Sequence, residues 1–346
     1  MQQNIQAIDV GYRMTKYTER LEGETPICRS FPSIAPLASD RDHSVGRGTK
    51  RNTVVVPVGK LQYEVGPDAY LVSSTFHVRN FDDAFVKADE YLALCRGALR
   101  YMRASKIDLL VVGLPVSLHA YLSGYLETRL KGDHDLGDGK AVHIDRVLVM
   151  VQPMGALLSY AFGDSQRRSV LKARNVVIDP GGRTFDWVVT QGVKSMPERS
   201  HSANKGMVDV LEAIARSVGD QLQCQLTSHD LDNIDKALRT GSQPNFFGKP
   251  FDLTPHIGMG EKDVHEAVTA MRKDLQSGSD LDNLILSGGG AFFFKKLIAS
   301  AYPHHTLHML DNPLLANVQG FLLGGLEFLA SEKRRTAQPA TTSTAE

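Results

Sequence analysis

Apolar residues occur along the chain in two alternating patterns, short continuous runs and helical spacings. The short runs predict buried strands at residues 5–8, 109–112, 147–151, 176–178 and 284–287. Apolar positions three and four residues apart predict helices at residues 89–102, 118–131, 155–162, 207–222, 230–238, 263–275 and 317–330. Strands that alternate with helices in two similar halves predict two α/β domains with a cleft between them.

Between these elements the sequence predicts turns and loops. Residues 54–65 form an expected hairpin around Gly59, because extended apolar runs flank the glycine. The glycine-rich stretch 131–140 and the proline- and glycine-rich stretch 240–260 are expected to be irregular. Residues 331–346 are polar and lack an apolar period, which predicts a disordered C-terminal tail.

Two aspartate–glycine turns stand at equivalent places in the two halves. Asp9 follows the first apolar run and precedes Gly11, while Asp179 follows another run and precedes Gly181 and Gly182. Each turn leads into a second extended run, so both indicate a strand, a tight turn and a strand. Glycine leaves backbone N–H groups free to approach phosphate oxygens, and a neighbouring carboxylate suits hydrated Mg²⁺. Two such hairpins facing each other would hold a nucleoside triphosphate from both sides.

The composition is that of a globular protein without an overall charge bias. Of 346 residues, 42% are hydrophobic and 23% are charged, with 39 basic and 39 acidic side chains. This balance argues against direct binding to nucleic acid or to a membrane surface. Three widely spaced cysteines favour free thiols in a reducing cytoplasm. No signal peptide is expected, and the longest uncharged run, residues 147–163, is shorter than the ~20 residues of a membrane span.

Five motifs resemble those of the actin-like ATPases, and within them the plasmid-segregation ParM/StbA type, with the PRTRC-system protein D subgroup as one candidate. They are two phosphate loops at residues 9–16 and 179–186, two connecting motifs at 152–156 and 312–321, and an adenosine motif at 286–291. Each is weak alone, but five in the expected order are a strong signal. The resemblance implies the actin-like (actin/Hsp70/sugar-kinase) fold around a nucleotide cleft. It places domain I at residues 1–170, completed by the C-terminal helix 318–330, and domain II at 171–317.

The resemblance also implies roles for individual residues, with Gln152, Asp179 and Asp9 as the catalytic set. Asp9 and Asp179 would hold Mg²⁺ through water, and Lys16 would neutralise phosphate charge. Gln152, where the ParM type has glutamate, would orient the attacking water; a neutral amide is a poor base, so slow turnover is expected. The remaining residues are the phosphate cradle of Gly11, Tyr12, Gly181, Gly182 and Thr184, the adenosine contacts Gly288, Gly289 and Gly290, and the base and ribose contacts Lys205 and Glu212, the last two assigned from helix position.

Several of these residues have structural interpretations that the sequence leaves open. Asp9 and Asp179 could be ordinary turn formers, because Asp-x-Gly is a common turn sequence. Lys16 alternates with apolar neighbours, as a solvent-facing strand residue does. Gln152 could cap the helix that follows it.

The function implied by the resemblance is an ATP-dependent filament-forming protein that segregates plasmid DNA in the cytoplasm. Its cofactors would be ATP, with GTP not distinguished, and Mg²⁺. Hydrolysis would weaken the contacts between subunits of the homopolymer. A DNA-binding adaptor at a centromere-like plasmid site would link filament to DNA, which suits a chain without net charge. Two alternatives stay open, a sugar-type small-molecule kinase of the same fold and a non-hydrolysing scaffold.

Overall fold

A computed structural model describes residues 3–39, 50–73 and 83–337, which form two halves built on two main sheets. The strands are β1 (Ile5–Val10), β2 (Met14–Glu22), β3 (Thr25–Pro32), β4 (Val54–Val58), β5 (Leu61–Val65), β6 (Lys106–Ile107), β7 (Leu109–Leu114), β8 (Gly132–Asp135), β9 (Ala141–Ile144), β10 (Val147–Val151), β11 (Arg174–Pro180), β12 (Phe185–Gln191), β13 (Lys194–Ser195), β14 (His201–Ala203), β15 (Asn245–Phe246), β16 (Lys249–Pro250), β17 (Asn283–Leu286) and β18 (Leu307–Met309). The helices are α1 (Asp89–Met102), α2 (Val116–Leu130), α3 (Gln152–Gly163), α4 (Met207–Leu222), α5 (Ser228–Thr240), α6 (Glu261–Leu275), α7 (Ala291–Ala301) and α8 (Ala316–Ala337).

The two main sheets share one plan. In the first, the antiparallel β1–β2 hairpin continues into β3, and β7 and β10 lie parallel to β1 on its other side. In the second, the β11–β12 hairpin takes the place of β1–β2, and β17 and β18 run parallel to β11. The predicted fold of two similar α/β halves is therefore confirmed.

Helix α8 returns from the end of the chain to the first sheet. Phe321 and Leu322 of this helix are buried against Ala7, Leu109 and Val111 of β1 and β7. Full burial of a phenylalanine or leucine side chain contributes about 1.5–3 kcal/mol. The helix therefore covers one face of the first sheet, while the residue limits of the two domains stay predictions.

Helices α3 and α8 cross at two glycines. A Cβ atom on Gly320 would lie 1.7 Å from the carbonyl oxygen of Gly155, and one on Gly155 would lie 2.4 Å from that of Asn317. No side chain fits between the helices at these distances, so the two backbones are in direct contact. On its other face α3 packs into the second half, where Leu157 and Ile285 share a core cluster. The crossing therefore joins the two halves.

Helix α5 is delimited at both ends by its sequence. Its first turn forms a capping box, in which Asp230 N–H donates to Thr227 Oγ1 at 3.4 Å and Thr227 N–H donates to Asp230 Oδ2 at 2.7 Å. Gly241 ends the helix at φ 67°, a left-handed conformation that glycine adopts without strain. The helix is thus defined locally, and its acidic face meets the first half of the chain.

The stretch 131–140, predicted to be a loop, contains strand β8, which pairs antiparallel with β9. His134 and Leu136 are buried, whereas Asp133 and Asp135 are exposed. This alternation has the period of a strand. The prediction is wrong for residues 132–135, because a histidine at the inward position made the strand look polar throughout.

The predicted disordered tail is also wrong for residues 331–337, which belong to α8. Arg146 donates two hydrogen bonds to the carboxylate of Glu332, at 2.9 and 3.0 Å. One turn later, Thr336 Oγ1 donates to the Glu332 carbonyl at 3.1 Å. Polar helix-forming residues and this anchor continue the helix past its apolar stripe. Residues 338–346 lie outside the described residues.

The longest uncharged run, residues 147–163, forms strand β10 and helix α3. Within the three described ranges, no helix combines the length and the apolar character needed to cross a membrane. The cysteines Cys28, Cys95 and Cys224 are free thiols, as predicted. Burial raises the pKa of Cys28 and of Cys95 to about 12, so both remain protonated at neutral pH.

Candidate functional site

A cleft between the two halves is lined by the turns of both hairpins. Eleven predicted site residues lie in its wall, from the two hairpins, the start of α3 and the turn after β17: Asp9, Gly11, Tyr12, Lys16, Gln152, Asp179, Gly181, Gly182, Thr184, Gly288 and Gly289. These residues are spread over most of the sequence, and the fold places them around one space. Tyr12 is held by stacking on Phe85, with 5.5 Å between ring centroids.

Three predicted site residues do not line this cleft. Lys205 Nζ lies 2.6 Å from Asp263 Oδ1 on α6, and Glu212 is exposed on α4. Lys205 and Glu212 therefore lie outside the wall of this cleft, and their contacts to base and ribose stay predictions. The Gly290 N–H donates to the Pro180 carbonyl at 2.8 Å, so this glycine shapes the turn.

Asp9 lies on β1 and is fully buried between two donors. Lys16 Nζ lies 2.9 Å from its Oδ2, and Gln152 Nε2 donates to its Oδ1 at 2.6 Å. Gln152 is the first residue of α3, and its amide bonds to Asp9 across the cleft floor, whereas capping would aim it at the helix backbone. Lys16 likewise points into the cleft, with 13% of its side chain exposed.

Asp179 occupies the matching position on β11 and is also buried. Asn317 Nδ2 donates to its Oδ2 at 2.7 Å, from the first turn of α8. Burial, reinforced by the nearby charges of Asp186 and Asp9, raises the pKa of Asp179 to about 7, although the bond from Asn317 opposes the shift. A Cβ atom on Gly288 would lie 2.2 Å from Asp179 Oδ1, so the carboxylate fits only because residue 288 is glycine.

Asp186 is a buried cleft residue that the sequence interpretation did not assign. Its carboxylate accepts hydrogen bonds from Thr184 Oγ1 at 2.5 Å, from Ser202 Oγ, and from the Val116 N–H of the other half at 3.0 Å. Burial raises the pKa of Asp186, and these three hydrogen bonds offset part of that rise. Asp186 therefore ties the second hairpin to the start of α2 across the cleft.

The hairpin register contains a signal that would have found Asp186. In the first hairpin Asp9 faces Lys16, and in the second Asp179 faces Asp186. The offset is seven residues in both cases, so the residue equivalent to Lys16 is an acid in the second half. The sequence motifs match the two turns to each other, whereas cross-strand pairing shows which side chains lie beside each other.

The charges of the cleft suit a nucleotide that arrives with a divalent cation. Four aspartates line it, Asp9, Asp179, Asp186 and Asp235, against three basic residues, Arg13, Lys16 and Arg239. A triphosphate would add more negative charge, which a cation must balance. Across the described residues, no group of three or more His, Cys, Asp or Glu side chains is placed to hold a metal alone. Mg²⁺ commonly binds through one or two carboxylates, phosphate oxygens and water, and the carboxylates of this cleft could supply that share of its ligands.

Two family models match consecutive parts of the chain. Residues 7–155 match the N-terminal domain of actin-like proteins. Residues 177–299 match the C-terminal domain of MreB-like archaeal actin homologues. No curated protein matches the chain.

Solved structures of similar fold cover almost the whole chain. A non-polymerisable quadruple mutant of pCBH ParM is 19% identical, with a TM-score of 0.74, over 94% of this chain and 100% of that one. A 15-stranded ParM filament from Clostridium botulinum is 20% identical, with a TM-score of 0.73, over 95% and 100% of the two chains. An archaeal actin homologue in complex with ADP is 18% identical, with a TM-score of 0.70, over 94% and 99%. At these identities the likeness shows the fold, which is actin-like.

Proposed function

Because this chain is an actin-like protein in both of its halves, we propose that it binds and hydrolyses ATP and assembles into filaments. The observation that carries the proposal is the pair of hairpins facing one cleft, each with a buried aspartate, Asp9 and Asp179. Structural relatives include a ParM filament and an ADP complex, which supports both assembly and nucleotide binding. GTP remains an alternative nucleotide.

Different residues of the cleft would bind the phosphates and the metal ion. The N–H groups of Gly11 and Gly181 close their own turns, donating to the Met14 carbonyl at 3.1 Å and to the Thr184 carbonyl at 2.8 Å. Gly11 and Gly181 would therefore let the backbone of the turns come close to the phosphate oxygens, and the Gly182 N–H would donate to them. Asp9 and Asp179 would hold Mg²⁺ through water, and the ion would supply charge neutralisation at the phosphates. Lys16 already faces Asp9, so it would neutralise phosphate charge without a large rearrangement.

Gln152 is the residue best placed to position the attacking water. Its Nε2 is held by Asp9, which fixes the amide plane and leaves the carbonyl oxygen Oε1 to accept a hydrogen bond from water. An amide orients water but removes no proton, so hydrolysis would be slow. Loss of the terminal phosphate would then remove contacts that bridge the two halves and weaken the interfaces between subunits.

Plasmid segregation is the cellular role that the ParM resemblance favours. In this proposal the protein is cytoplasmic and its filament is linked to DNA by a DNA-binding adaptor. The equal numbers of basic and acidic residues, 39 of each, agree with an adaptor more than with direct contact to DNA.

The proposal is tested by light scattering of the purified protein on addition of Mg-ATP, with phosphate release followed in the same cuvette. We expect a lag, a rise and a critical concentration, with phosphate release accompanying assembly. A matched sample with EDTA should show neither signal. Phosphate release without scattering at any concentration would contradict filament formation and favour the kinase alternative. Silence in both channels would contradict ATP-driven assembly and favour the scaffold.

Replacing Gln152 with alanine is expected to slow phosphate release by about tenfold to a hundredfold while nucleotide binding and assembly persist. The variant removes the group that orients water but leaves Asp9 paired with Lys16. Phosphate release per assembled subunit measures the effect. Gln191→Ala, an exposed glutamine on β12 outside the cleft, is the matched control and should keep the wild-type rate. Equal rates in both variants would remove Gln152 from the mechanism.

A further inference from the structure

Arg13, in the turn of the first hairpin, reaches across the cleft to α5. Its Nη2 lies 2.6 Å from Asp232 Oδ1, and its Nη1 lies 3.3 Å from Asp235 Oδ2. Only 11% of the Arg13 side chain is exposed. A largely covered arginine from the first half is therefore paired with two carboxylates of the second half.

The same side chain lies over the turn of the second hairpin. A Cβ atom on Gly182 would be 2.9 Å from Arg13 Cγ, so the absence of a side chain at residue 182 makes room for the arginine. The Arg13 side chain thus extends from the first turn to the second, and both turns are proposed to hold phosphate. The planar fork of a guanidinium matches phosphate oxygens better than an ammonium group does.

The ion pair leaves hydrogen-bonding capacity unused. Within the described part of the chain, Nη1 of Arg13 and Oδ1 of Asp235 are buried without a hydrogen-bond partner. A buried donor that lacks an acceptor is costly, and the cost is larger for a charged group. A phosphate oxygen in the cleft would supply the missing acceptor.

The two aspartates keep other partners if Arg13 leaves them. Asp235 Oδ2 also accepts a hydrogen bond from Arg239 Nε at 3.0 Å within α5. The side chain of Asp232 is 36% exposed, so water can solvate its charge. Transfer of Arg13 to a phosphate would therefore strand neither carboxylate.

From these contacts we propose that Arg13 binds the phosphate groups of the nucleotide, and that Asp232 and Asp235 compete with phosphate for it across the cleft. The inference rests on the nucleotide binding proposed above. Phosphate binding then breaks the link between the first hairpin and α5, which couples the occupancy of the cleft to the contact between the two halves.

The test measures affinity for Mg-ADP and for a non-hydrolysable ATP analogue with Mg²⁺ by isothermal titration calorimetry, below the concentration at which the protein assembles. Arg13→Gln is expected to weaken binding by about tenfold or more, the effect of losing a charge-assisted hydrogen bond. Asp232→Asn is expected to strengthen binding by about two- to fivefold, because a partly exposed competitor for Arg13 is removed. The two variants thus shift affinity in opposite directions.

A purely structural ion pair predicts a different result, because both variants would break the same contact and shift affinity in the same direction. That outcome would overturn the role of Arg13 while leaving the proposed nucleotide binding intact. Absence of binding by the wild-type protein would overturn the proposed function itself and the inference with it. Arg146→Gln, which removes an exposed arginine–glutamate pair away from the cleft, is the matched control and should keep wild-type affinity. If Arg13→Gln fails to fold, unchanged or weaker binding by Asp232→Asn overturns the inference.

Discussion

Replacing Asp179 with asparagine is expected to reduce phosphate release from Mg-ATP by at least about a hundredfold, because a carboxylate proposed to hold the metal becomes neutral. The fold should persist, since an asparagine Oδ1 can still accept the hydrogen bond from Asn317. Alanine is a less clean substitution than the turn motif suggests. Asp179 lies within a buried strand, where alanine would leave Asn317 Nδ2 without an acceptor.

The same substitution is expected to stabilise the nucleotide-free protein above pH 7. The pKa of Asp179 is raised from 3.8 to about 7 in the folded state, so ionisation of this carboxyl destabilises the folded protein. This penalty is fully present above the folded pKa and disappears as pH falls toward the unfolded value near 4. A shift of this size corresponds to at most about 4 kcal/mol. The gain from Asp179→Asn should therefore be largest above pH 7 and vanish near pH 4.

Thermal or urea unfolding between pH 4 and pH 8, in EDTA, measures this gain. Asp280→Asn is the matched control outside the cleft, because hydrogen bonds from Arg199 and Arg174 lower the pKa of Asp280 to about 2. Ionisation of Asp280 therefore favours the folded state, whereas ionisation of Asp179 opposes it. Asp280→Asn should thus lose stability at neutral pH. A loss of stability in Asp179→Asn at pH 8 would contradict the burial penalty, and wild-type phosphate release would remove Asp179 from the site.

Replacing Gly320 with alanine is expected to destabilise the protein by about 3 kcal/mol or more, or to prevent folding. The new Cβ atom would lie 1.7 Å from the carbonyl oxygen of Gly155, a backbone atom that cannot rotate away. Helices α3 and α8 would have to separate. Because α3 carries Gln152 and α8 carries Asn317, the separation would also move the partners of both buried aspartates.

Urea unfolding of the wild-type protein and of the Gly320→Ala variant measures the change in the free energy of unfolding. Gly124→Ala is the matched control, because Gly124 is an exposed glycine of α2 with no heavy atom within 4 Å of the added methyl. Helix propensity alone should then stabilise the control by about 0.5–1 kcal/mol. A Gly320→Ala variant as stable as this control would show that the crossing yields to a methyl group without cost.

Features that depend on neighbours along the chain were predictable. The two hairpins follow from glycine turns between apolar runs, and α1 and α4 have the bounds that their apolar spacing predicts. The pairing of Asp9 with Lys16 was also within reach, because the residues face each other in one hairpin. Strand β8 was missed because its buried residue, His134, is polar.

The partners inside the cleft depend on contacts between distant parts of the chain. Asp9 and Gln152 are 143 residues apart, and Asp179 and Asn317 are 138 apart. Arg13 and Asp232, 219 residues apart, meet only where the two halves face each other. Turn chemistry and apolar periodicity arise from local interactions, so the amino-acid sequence alone defines the hairpins and their aspartates. The tertiary structure decides which donor reaches each buried carboxylate, because that choice depends on how two separately encoded halves pack across α3 and α8.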